Sequence, residues 1–230
     1  MMVNRTITLV LFVFAMTGVI AQSFNLEDVD VQLSKIHDDD QQIRAKWSDA
    51  FQKKLPTQQI ILEMHAIDSI NQQYVSKLLD EYGWPDNLSE KANKAFFYVI
   101  DHADNSFSEK YFPLLKEKGE QGILEMALVA TLEDRILMRT SKKQKYGTQT
   151  MGLLLSYTNS SGDIIEEKNI FYVWPIEDNE KVDELRNAVG LPPLEQHLQE
   201  SEDRTNIKVI WDKKMTIDDM KEKYPWLNSK

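Results

Sequence analysis

The chain contains no cysteine. Disulfides, thiol catalysis and thiolate metal sites are therefore excluded, and the fold must be held by its core alone. Positive charge is also short. Lys and Arg number 27 against 37 Asp and Glu, a net charge of −10, which makes nucleic acid and anionic membrane surfaces poor partners. There is no glycine-rich phosphate loop, since "KYGTQ" carries a single Gly. No Ser lies in a G-x-S-x-G elbow. No internal repeat or low-complexity segment breaks the chain. His65, Asp68 and His102 lack any standard ligand spacing, so neither a metal nor a cofactor is predicted.

Only one long apolar run is present, "ITLVLFVFAMTGVI", directly after the basic start "MMVNR". It has 14 residues, short of the roughly 20 that span a bilayer. Val19 and Ala21 stand at the −3 and −1 positions of a cleavage site before Gln22. Residues 1–21 are read as a signal peptide, which implies a periplasmic or secreted protein with no stable membrane span after cleavage. The mature chain would hold 209 residues and, without Arg5, a net charge of −11.

From Leu26 onward the apolar residues recur at helical spacing. Leu26, Val29, Leu33, Ile36, Ile43, Trp47 and Phe51 predict a helix over 26–54, ended by Pro56. Ile60, Met64, Ile67, Tyr74, Leu78 and Tyr82 predict a second over about 57–82, closed by "YGWP" with Gly83 as the left-handed cap. Ala92, Phe96, Val99 and Ala103 mark a third over about 89–103. "SFSE" (Ser106 to Glu109) matches a capping box and predicts a new helix after a tight corner, kinked at Pro113. Residues 123–138 are apolar almost all round, as in a central buried helix. After Lys142, "GLLLSY" and "IIEEKNIFYVW" predict two strands joined by the turn "TNSSGD". An acidic helix capped by Gly190 comes next, and Pro192 and Pro193 open one more turn. Residues 201–230 read as an appendage with a short strand (207–211) and a weak helix (216–223).

Several helices carry polar residues near or on the stripe they should bury: Asp40 with Arg44 one turn on, Asn71 with Asp68, His102, and Asp134 with Arg135. A buried charge or amide without a partner costs several kcal/mol by typical estimates. Exceptions on several helices are most economically explained if they meet. Two readings stand side by side: a functional pocket, or a network that only fixes helix register.

The segments "DQQIR" (40–44), "YGWP" (82–85), "VIDHAD" (99–104), "YFPLL" (111–115), "LEDRIL" (132–137), "QKYGTQ" (144–149) and "PIEDNEKVDELRNAVGLPPL" (175–194) together resemble the bacterial domain of unknown function 6624 family, over about residues 26–198. The family's usual central motif is Q-H-A-D, and this chain has Asp101 in place of the Gln. The family carries no established activity, so the resemblance implies a site without a reaction. Its signature positions include Asp40, Arg44, His102, Asp134 and Arg135.

The expected fold class is α+β, mainly α: an N-terminal helical bundle, a small antiparallel β-hairpin and a C-terminal helix, with residues 22–200 as the family-like domain. The leading functional expectation is a polar ligand pocket, as in an exported hydrolase. His102 is the acid–base residue, because its ordinary pKa lies nearest neutrality, and Asp134 or Asp104 orients it. Arg44, Arg135 or Lys145 holds an anionic group. Asp40 lies with them, and Tyr146, Thr148 and Gln149 line the rim. The competing expectation is a non-catalytic binding or scaffold protein of the cell envelope. The partner is then an envelope component rather than a small molecule.

Overall fold

A computed structural model describes residues 25–158, 161, 164–205, 207–225 and 227, with the backbone alone over 153–158 and 164–170. The segment 1–21, read above as a signal peptide, and most of the "TNSSGD" turn lie outside the described residues. Within them the fold is α+β and mainly helical, with eight helices and one small sheet.

Five helices make the body: α1 (Leu26–Gln52), α2 (Gln58–Tyr82), α3 (Glu90–His102), α4 (Asn105–Glu120) and α5 (Met126–Arg139). α1 opens on Asn25, whose side chain accepts from Glu27 N, which satisfies one of the free donors of the first turn. It buries Val29, Leu33, Ile36, Asp40 and Ile43 along the predicted stripe, but Leu26 and Trp47 are only half-buried and Phe51, predicted to face inward, is exposed. α2 keeps Asn71 and Leu78 of the predicted inward face and adds the edge carrying Val75 and Leu79. Asn71, Val75, Leu78 and Leu79 are buried, whereas Tyr82 is exposed. Over its first half only Ile60, Met64 and Ile67 with a few neighbours are half-buried, and Leu62 and Ile70 are exposed, beside a groove of about 480 Å³ lined by Asp39, Gln42, Ile43, Lys46, Glu63 and Ile67.

The central helix is α3, not α5. Ala92, Asn93, Ala95, Phe96, Phe97, Val99, Ile100 and Asp101 are all buried in α3, while α5 fully buries only Val129, Ala130, Leu132 and Asp134. The short side chains Ala92 and Ala95 let α1 and α2 approach α3, and Phe96 fills the centre, tilted against Trp84 at 4.2 Å between ring centroids. Trp84 Nε1 donates to Asn93 Oδ1 at 2.8 Å, so neither buried polar group is stranded. Each such large side chain contributes about 1.5–3 kcal/mol of transfer free energy.

The corner between α3 and α4 positions the site. Asp104, rather than Ser106, is the N-cap of α4: its carboxylate accepts from Phe107 N at 2.9 Å and from Ser106 Oγ at 2.7 Å. Ser108 Oγ donates back to Ile100 O at 2.8 Å, and Arg139 Nη1 to Ala103 O at 2.8 Å. Both supply donors to the end of α3, and the guanidinium also lies at the favourable pole of the helix dipole.

β1 (Thr150–Thr158) and β2 (Ile164–Val173) pair antiparallel, and β3 (Lys208–Ile210) joins β2 in parallel, giving the order β1-β2-β3. α6 (Val182–Ala188) and α7 (Leu194–Thr205) come after the hairpin. α7 is a full helix where the sequence predicts a single turn, and it runs through position 201. α8 (Ile217–Lys223) buries Met220, and Tyr224 lies just beyond it, both against Trp174. No helix among the described residues is long and apolar enough to cross a membrane.

Candidate functional site

Asp40, Arg44, Asp68 and His102 meet where α1, α2 and α3 converge. Asp40 and Arg44 are one turn apart on α1, with Arg44 Nη1 2.8 Å from Asp40 Oδ1. Arg44 Nη2 reaches across to α2 and donates to both oxygens of Asp68, at 2.9 and 3.1 Å. His102 Nδ1 lies 3.0 Å from Asp40 Oδ1, and Asp40 also accepts from Gln41 Nε2 at 2.8 Å. The Asp40 side chain is 1% exposed and His102 20%, so the carboxylate is sealed while the imidazole reaches solvent.

An ionised carboxylate only accepts. Nδ1 of His102 therefore carries the hydrogen of the neutral ring, and the lone pair is left on Nε2. Nε2 faces Asp101 Oδ2 at 3.7 Å. Tyr98, one turn earlier on α3, lies nearly parallel to the imidazole with 6.1 Å between ring centroids. The other oxygen of Asp101 stands 2.8 Å from Arg135 Nε on α5. Asn71, one turn beyond Asp68, is also buried, and its Nδ2 has no hydrogen-bond partner.

Asp134 belongs to a second constellation. Its carboxylate is fully buried and accepts from Lys145 N at 2.7 Å, Tyr146 N at 3.1 Å, and Thr148 N and Oγ1 at 3.0 Å each. Burial pushes its carboxyl above the usual range, against the pull of these hydrogen bonds. Gly147 sits inside this turn at φ +69°, a left-handed conformation that glycine adopts at little cost. From the other side the fully buried Arg186 donates to Tyr146 O and Pro192 O, both at 2.6 Å. Gln144 completes the loop. Its Nε2 donates to Gln149 O and Trp174 O, and its Oε1 accepts from Gln149 N. Gln149 Nε2 donates to Thr148 Oγ1 at 3.1 Å.

Of the residues singled out by sequence, Asp40, Arg44 and His102 come together, with Arg135 joined through Asp101. Lys145, Tyr146, Thr148 and Gln149 gather around Asp134 or next to it. Asp134 makes no hydrogen bond or ion pair with His102, Arg44 or Arg135 among the described residues; its partners are loop amides and one hydroxyl. Asp104 is committed to capping α4, and its backbone hydrogen bond from Phe107 holds its carboxyl below the usual range. The carboxylate that orients His102 is Asp40. Lys145 pairs with Glu133, which holds its ammonium above the usual range. With Tyr146 it edges a shallow groove of about 740 Å³ that continues along Glu177 to Lys181 and Leu185.

Sequence reasoning missed Arg139, Arg186 and Gln144. Arg139 lies one turn after Arg135, and Arg186 one turn after Val182 on a buried helical face, so spacing would have flagged both. Gln144 left no such signal, because its partners are backbone groups of Gln149 and Trp174, next to the ends of two strands.

A mainly helical α+β protein with a sealed Asp paired to a partly exposed His at a helix corner is the class these features define. The family of unknown function DUF6624 matches residues 27–210, and the chain belongs to it. The match runs past residue 198, where the motif resemblance stops, and takes in α7 and β3. Neither curated proteins nor solved structures contain a match.

Proposed function

We propose that this is an exported protein that binds a small molecule at the α1–α2–α3 corner and hydrolyses it with His102 as the acid–base residue. The observation that carries this reading is the 3.0 Å contact between a sealed Asp40 and the Nδ1 of a partly exposed His102. A carboxylate on Nδ1 fixes the tautomer, steadies the ring and stabilises the imidazolium that forms when Nε2 accepts a proton. Nε2 then takes a proton from an attacking water and returns it to the leaving group. A positioned acid–base group of this kind contributes about 10²–10⁴-fold to rate. Asp40 is a positioning residue, and Arg44 with Asp68 keeps it in place. Asp134, Thr148 and Gln149 serve the loop around residue 147, and Lys145 and Tyr146 form its outer edge. Export rests on the sequence of residues 1–21.

A second reading, a scaffold of the cell envelope, is favoured by a specific feature: Asp68, Arg44, Asp40 and His102 form one continuous chain of ion pairs and hydrogen bonds across three helices. Buried networks of this kind also fix helix register. The test is the purified mature chain against a panel of chromogenic carboxylic esters, phosphoesters and amides, beside His102→Gln. Turnover that drops at least about 10²-fold in His102→Gln, with parent-like melting, supports the enzyme. Identical traces from both proteins across the panel, together with a clearly lower melting temperature for the variant, support the scaffold.

A further inference from the structure

Arg135 is held at one edge only. Asp101 Oδ1 lies 2.8 Å from its Nε, yet among the described residues neither atom has a hydrogen-bond partner, although both are buried. The two charges attract, but the N–H does not point at the oxygen. The terminal Nη nitrogens donate to no group among the described residues and, unlike Nε, are not buried polar atoms lacking a partner. The side chain as a whole is 29% exposed. Arg44 differs: both of its terminal nitrogens are taken by Asp40 and Asp68. Arg139 differs too, since its Nη1 is committed to Ala103 O. Arg135 therefore offers a guanidinium fork that the fold orients and leaves uncommitted.

Its place matters as much as its freedom. The same Asp101 carboxylate that touches Arg135 presents its other oxygen to His102 Nε2 at 3.7 Å. One buried side chain thus contacts both residues, Arg135 at Nε and His102 at Nε2. We infer that Arg135 anchors a substrate oxyanion, a carboxylate or phosphoryl group, beside His102, with Asp101 as the positioning residue between them. A planar fork suits two-oxygen groups, which accept two parallel hydrogen bonds from it. The positive charge of Arg135 and Arg139 is offset by Asp101 and by Asp104 at the corner, so the anchor binds through geometry more than through a strong field. On a chain of net charge −10, diffuse attraction of anions does not compete. The anchor rests on the acid–base reading only for what happens to the bound molecule, not for the binding.

The test uses acetate and inorganic phosphate as probes on the mature chain, monitored by calorimetry and by the His102 ring protons in NMR, assigned by their loss in His102→Gln. The expected result is saturable binding of one or both probes that shifts the His102 resonances. Arg135→Gln should weaken it at least about tenfold, and Arg135→Lys should not restore it, because an ammonium has charge without the fork. Lys94→Gln, which removes a partly exposed cation paired with Glu90 and Glu125, should bind like the parent. Acetate alone points to carboxylate substrates and phosphate alone to phosphoryl ones. If Arg135→Gln melts early by leaving Asp101 uncompensated, the double variant Asp101→Asn/Arg135→Gln removes the imbalance and is read in its place. The inference is overturned if the parent binds neither probe, if the Arg135 variants bind as the parent does, or if binding leaves the His102 ring unmoved. Arg135-dependent binding with unchanged turnover in His102→Gln would instead retire the acid–base reading and leave the anchor standing.

Discussion

Asp134→Ala should be among the most damaging single substitutions in the chain. The fully buried carboxylate accepts three backbone N–H bonds and one hydroxyl bond, at 2.7 to 3.1 Å. Truncation leaves all four donors without their acceptor at once. Hydrogen bonds to a charged group contribute about 1.5–3 kcal/mol each, but they do not add. Lys145, Tyr146 and Thr148 are only half-buried and recover some water. The expected loss is about 3–5 kcal/mol, as for breaking a buried charged network. For a chain of this length that is roughly 6–20 °C in melting temperature. His102→Ala provides the contrast. Asp40 keeps Arg44 at 2.8 Å and Gln41 at 2.8 Å, so nothing buried is stranded, and the cost should be about 1 kcal/mol. Urea unfolding monitored by far-ultraviolet circular dichroism compares both variants with the parent. If Asp134→Ala unfolds within about 0.5 kcal/mol of the parent, as an ordinary surface substitution does, the anchoring role is wrong. Equal, large losses in both variants would sink the catalytic role of His102.

Gly147→Ala should cost about 1–3 kcal/mol, because φ is +69° and the new Cβ would lie 2.9 Å from Leu194 Cδ2 and 3.0 Å from Ile176 Cδ1; thermal melts test it. His197 is held below its ordinary pKa, first by burial and then by Arg186 and Arg204, with Glu200 opposing. The unfolded chain therefore binds this proton before the folded one does. Stability present above about pH 6.5 should decline as pH falls toward the folded pKa. Urea midpoints measured between about pH 7.5 and 5 should fall more steeply for the parent than for His197→Gln, and equal slopes would refute the assignment. Mass spectrometry of the exported chain should find Gln22 at the N-terminus; a chain that still begins at Met1 and needs detergent for extraction would refute cleavage.

Helix periodicity makes most of the body legible, since α3 buries the stripe its apolar spacing indicates and α1 does so from Val29 to Ile43. It fails where composition outweighs environment. Residues 123–138 look like a core helix, but α5 buries only Val129, Ala130, Leu132 and Asp134 and leaves its other residues half-buried. α3 reaches the centre because Ala92 and Ala95 let its neighbours close in. Spacing misplaces the cap for a similar reason: Ser106 and Glu109 are the right distance apart, but Asp104 is two residues closer to the corner and claims Phe107 N first. Asp40, Arg44 and His102 are visible as polar interruptions of apolar stripes. Their alignment is not, because helix phase says which residues face inward and nothing about which helix they face.

That limit explains how Asp134 and Asp40 exchange roles between sequence and structure. Both are carboxylates on buried helical faces, and spacing alone treats them alike. Their donors separate them. Asp134 meets backbone N–H groups of a tight turn, donors that do not titrate and are held by the fold, so its charge serves to fix a loop. Asp40 meets a guanidinium and an imidazole, the second a group whose ring nitrogens can take up or release a proton. A carboxylate surrounded by amides leaves no group nearby to respond to a ligand. One that shares an oxygen between a guanidinium and a partly exposed imidazole couples a buried charge to whatever meets Nε2. Burial, which the two aspartates share, does not decide between them; the kind of donor each is given does, and only Asp40 is given one that can carry chemistry.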